Sequence, residues 1–140
     1  MVVRCPFGRP AVVQQASYLQ SGEPFPTTYY LTCPAAVARV GRLESEGGVA
    51  HYEQLVATEA WARDSWEAGR REQRGLRRPA AAMADGGASL RLGIGGTSRD
   101  LSVKCLHAHV AFALARPGYE LGERMAQEAA PIYPQECCCR

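Results

Sequence analysis

The pattern of apolar and polar positions opens on short extended segments. "MVVRC" is a brief apolar run, and "PFGRP" collects turn formers. "AVVQQASY" reads as a second strand before "LQSGEPFP" breaks the pattern with a glycine and prolines. "TTYYLT", β-branched and aromatic, reads as a third. The short connections suit hairpins, so residues 1–32 are expected to form a small, mainly antiparallel sheet of about three strands.

The period then changes. Val37, Val40 and Leu43 recur at helical spacing in "CPAAVARVGRLESEGG", with Pro34 suited to the first helical turn and Gly47–Gly48 to its end. "VAHYEQLVATEAWARDSWEAGRREQRG" predicts a long second helix whose charged second half faces solvent. Trp61 and Trp66 in it read as helix packing or a partner face. The basic, Ala-rich and Gly-rich stretch at about residues 75–92 is the most loop-like part and is expected to be mobile. "LRLGIGGTSRD" leads to a third helix, "LSVKCLHAHVAFALA", with Thr97, Ser98 or Asp100 as its cap. "YELGERMAQEAAPIY" predicts a fourth. The expected class is α+β: one domain over 1–140, with the N-terminal antiparallel sheet packed against about four helices.

Composition adds limits. A net charge of +2 gives no electrostatic case for nucleic acid. No apolar run is long enough for a membrane helix, and the N-terminus lacks the order of a signal peptide, so no membrane insertion and a cytoplasmic location are expected. Six cysteines in a reducing compartment point to thiols or metal ligands rather than disulfides.

The densest chemistry is "KCLHAH", Lys104–His109. On a regular helix Cys105 and His109, four apart, share one face, while His107 turns away among Val103, Val110 and Leu114. Cys5 ends the first strand and Cys33 precedes the first helix, so both are expected at the same edge of the sheet. Cys33 also stands where a helix N-terminus favours a thiolate. Cys5, Cys33, Cys105 and His109 are the candidate ligand set for zinc, with Cys138 or its neighbours Cys137 and Cys139 completing a four-thiolate set of the kind that holds an iron–sulfur cluster. "GIGGTSRD" offers backbone N–H groups to an anion, without the lysine ending of a P-loop.

"CPFGRPAVV", "PFPTTYYLTCP", "RLESEGG" and "KCLHAH", in that order, resemble the bacterial family called domain of unknown function 501. The resemblance implies a small cytoplasmic protein, with some members encoded near cell-division and polyphosphate-metabolism genes. It places Cys5, Cys33, Cys105, His107 and His109 inside characteristic motifs and carries no activity. Three readings stay open: a protein that binds a metal ion or cluster, a non-enzymatic adaptor for a protein partner in a cell-division or envelope-linked pathway, and a small thiol-dependent enzyme with an anion pocket.

Overall fold

The computed structural model describes residues 2–138. Three strands, β1 (Val2–Arg4), β2 (Pro10–Gln14) and β3 (Tyr29–Leu31), form an antiparallel sheet in the order β1-β2-β3. The first hairpin turns at Gly8, whose φ of 78° is the left-handed region glycine enters without steric cost. Val12 pairs with Leu31 and Val13 with Tyr30. Tyr29 and Leu31 therefore point into the core, and Tyr30 points out.

Five α-helices follow: α1 (Pro34–Ser45), α2 (Gly48–Thr58), α3 (Ala60–Leu76), α4 (Leu106–Ala115) and α5 (Glu120–Glu128). The sheet and the helical remainder make the expected α+β arrangement. The fifth helix arises because the long second pattern is split at Glu59, which is extended. Arg63 causes the break to hold: its guanidinium donates to the carbonyls of Val56 and Ala57, which a continuous helix would pair with backbone N–H groups.

Helix α4 is the centre of the fold. Its sequence, "LHAHVAFALA", is apolar all round, and it packs on β3, α1 and α5. Phe112 meets Tyr29 and Tyr119 edge-on, each with ring centroids 5.5 Å apart. The helix starts later than its sequence pattern. Residues 101–105 are not helical, because their backbone groups are taken by distant partners. Trp66 donates its indole N–H to the Ser102 carbonyl, and the Glu53 carboxylate accepts from the Val103 N–H. Thr97, Ser98 and Asp100 consequently do not cap α4; Cys105 occupies that position.

The stretch between α3 and α4 carries two short 3₁₀ turns, Ala88–Arg91 and Ile94–Gly96. It makes specific bonds to the sheet side of the molecule. Buried Arg77 donates to the carbonyls of Phe25 and Ser17 and to the Ser89 hydroxyl. Asp85 accepts from the Tyr18 hydroxyl and from the N–H groups of Gly87 and Ser89.

Among the described residues, no helix is long and apolar enough to cross a membrane.

Candidate metal centre

Three ligand-type side chains converge where the end of α1 meets the start of α4. Glu44 sits on the last turn of α1, Cys105 is the residue before α4, and His107 lies in the first turn of α4. One ligand atom from each lies within 4.8 Å of the others, and this is the one such group among the described residues. His107 Nδ1 is 3.0 Å from Glu44 Oε1 and 3.6 Å from Cys105 Sγ. The opposite ring nitrogen, Nε2, is 3.0 Å from the Val37 carbonyl oxygen.

Local structure explains the assembly. Val37 and Glu44 lie two turns apart on one stripe of α1, so both reach the same imidazole. The Glu44 carboxylate also accepts the Leu106 N–H at 2.9 Å, satisfying one of the donors a helix N-terminus leaves open and setting negative charge against the positive end of α4. The same carboxylate occupies the end of α4 that an anion would otherwise use, while "GIGGTSRD" packs beside that end, with Gly95 close against the Lys104 carbonyl and the Cys105 N–H.

The protonation pattern is informative. A carbonyl oxygen can only accept, so His107 Nε2 carries a proton donated to Val37. In the neutral ring Nδ1 would then present a lone pair to a carboxylate 3.0 Å away, an unfavourable contact. The cluster calls for positive charge at its centre, either a proton on Nδ1 or a cation shared by the three groups. In the ion-free protein the proton fills that role: His107 is pushed up to about 9, first by its hydrogen bond with Cys105, then by the Val37 carbonyl and the nearby charges, against partial burial.

A cleft of about 330 Å³ opens beside the cluster. Cys105 and His107 line it together with Tyr29, Tyr30, Leu31 and Val37.

The other sequence candidates lie elsewhere. Cys105 is outside α4, so helical phase does not pair it with His109; its sulfur meets His107 instead. His109 is fully buried on α4, with Nδ1 2.6 Å from the Tyr119 hydroxyl oxygen, and burial pushes its imidazole down to about 3. Cys5 and Cys33 are buried at the ends of β1 and β3, with β2 between their strands. Tyr133 approaches both: burial raises its hydroxyl, and the neighbouring Cys33 and Cys5 add to the shift. Cys138 is exposed, and Cys139 lies outside the described residues. Cys5, Cys33, His109 and Cys138 are not members of the three-residue group. Sequence reasoning missed Glu44 and assigned His107 to another contact. The available signal was that "RLESEGG" and "KCLHAH", two of the motifs that carry the family resemblance, both hold ligand-type residues.

An α+β protein with a carboxylate–imidazole–thiol cluster at a helix junction is thus defined. The chain belongs to the family described as Protein of unknown function (DUF501), whose model matches residues 1–127, a span that contains all three cluster residues. No curated protein and no solved structure matches it.

Proposed function

We propose that the protein binds a divalent transition-metal ion, zinc foremost, through Glu44 Oε1, Cys105 Sγ and His107 Nδ1. The observation that carries this reading is the orientation of His107, with Nε2–H fixed on the Val37 carbonyl and Nδ1 facing both other donors. A ligating histidine characteristically donates its second nitrogen to a carbonyl or carboxylate, which fixes its tautomer. The spacing supports it too. Tetrahedral zinc, with bonds of about 2.0–2.1 Å to N and O and about 2.3 Å to S, sets N and O roughly 3.3 Å apart and N and S roughly 3.6 Å apart. The corresponding separations here are 3.0 and 3.6 Å. Three protein ligands leave a coordination position for water or a substrate, as in catalytic rather than structural zinc sites.

Metal analysis and calorimetry on protein purified without oxygen test this. About one zinc or iron per chain is expected, with affinity falling on the order of a hundredfold in Cys105→Ser and in His107→Ala. Sub-stoichiometric metal, or an affinity unchanged from the native protein in both variants, would overturn it.

A second reading rests on the same sulfur. Cys105 lines the cleft next to a charged imidazole, the setting of a nucleophilic thiol. It expects iodoacetamide to modify Cys105 well ahead of Cys5 and Cys33 in metal-free protein, and His107→Ala to slow that reaction. Modification at one common slow rate would dismiss it.

A further inference from the structure

The walls of the cleft and the charge of the cluster together restrict what can enter. Tyr29, Tyr30, Leu31, Val37 and Ala108 supply most of the lining, with Thr27 as a polar margin. Among the described residues, no Arg, Lys, Asp or Glu lines the cleft. Glu44 is a member of the cluster but not of the lining, so a ligand reaches the ion from the side opposite the carboxylate. Val37 is 38% exposed and Tyr30 49%, which leaves apolar surface on both to cover an apolar group. Tyr29 and Leu31 are held in the core and form the rigid floor.

Charge decides the rest. A divalent ion bound by one thiolate, one carboxylate and one neutral imidazole makes a centre of zero net charge. With no cationic side chain in the walls, an anionic substrate gains no net attraction and loses its hydration in an apolar cleft. A neutral ligand avoids that loss. Its donor atom can take the open position while its body displaces water from the walls.

We infer that the cleft beside Cys105 and His107 takes a small neutral molecule with one lone-pair donor for the metal and an aromatic or branched aliphatic body that packs between Val37 and Tyr30. This rests on the metal reading of the cluster. A cleft of about 330 Å³ is at the small end of ligand sites, suited to a single ring or short branched group rather than a polymer.

The test uses the full chain loaded with cobalt(II) in place of zinc and read by its visible spectrum. The probes are 4-phenylimidazole, imidazole and benzoate. A thiolate-to-cobalt charge-transfer band reports that the parent reading holds; its absence defeats that reading before any probe is added. With the band present, 4-phenylimidazole is expected to shift the cobalt spectrum at a concentration about tenfold or more below imidazole, and benzoate to bind more weakly than 4-phenylimidazole. Val37→Asp, at an exposed helix position, is expected to erase the preference for the phenyl group, with the charge-transfer band showing that the variant still holds the ion. Equal binding of the two azoles, tightest binding of benzoate, no spectral shift with any probe, or a preference intact in Val37→Asp would each overturn the inference while the metal reading stands.

Discussion

Asp85 shows how one side chain gathers hydrogen bonds within a stretch whose composition suggests a loop. Its partial burial pushes the carboxyl up. Hydrogen bonds from the Ser89 N–H, the Tyr18 hydroxyl, the Gly87 N–H and the Ser89 hydroxyl outweigh that and hold it at about 2. The folded value lies below the roughly 3.9 of an unfolded aspartate. Folding therefore favours the ionised form; its stabilisation is fully present above about pH 4 and is lost as pH falls through 2. Melting temperature followed from about pH 5 to pH 2 is expected to drop more steeply for the native protein than for Asp85→Asn. Parallel curves would show that the carboxylate does not contribute. The same scale explains why the candidate site was only half legible. Cys105 and His107 were visible as ligand types two residues apart. Their pairing was not, because helical phase holds only for a regular helix, and the backbone of residues 101–105 is committed instead to Trp66 and Glu53. Glu44 is 63 residues from His107, and nothing local marks it as a partner.

At the scale of elements, the contact between α4 and α5 is set by Gly122. A Cβ there would lie 2.5 Å from the His109 carbonyl oxygen and 2.7 Å from the Tyr119 ring. Backbone on α4 cannot retreat, since its other faces are packed on β3 and α1. Gly122→Ala is expected to cost about 1–3 kcal/mol, against the small gain alanine normally brings to a helix. Denaturant unfolding measures it, and a neutral or stabilising result would mean that the helices can separate. The three strands and the apolar central helix were readable because their periods are local properties of the sequence. The division of α2 from α3 was not, because it depends on Arg63 reaching back to carbonyls six and seven residues earlier.

Across the whole molecule, Cys105 on one side and Cys5 and Cys33 on the other lie in two different environments. Cys105 belongs to the cleft. Cys5 and Cys33 are buried at the sheet edge, where the segment after α5 brings Ile132 and Tyr133 against the core. The family match ends at residue 127, so this covering segment lies beyond it. Ending the chain after Ala130 is expected to speed alkylation of Cys5 and Cys33, measured by mass spectrometry of folded protein, and to leave the affinity of the proposed metal site at Cys105 unchanged. Unaltered rates at Cys5 and Cys33 would show that the core alone shields them. Any loss of metal affinity would show that the two environments are coupled.

The bond from the Leu106 N–H to Glu44 has one more consequence. Because that carboxylate already serves the helix, the proposed ligand cluster is assembled before an ion arrives. Little chain entropy is left to lose on binding, in contrast to small zinc modules that fold only around their metal. An ion here would act as a guest of a finished structure. Its effect on unfolding would follow mass action, growing with the logarithm of free metal above the dissociation constant, and a chelator would return the protein to its own intrinsic stability rather than unravel it.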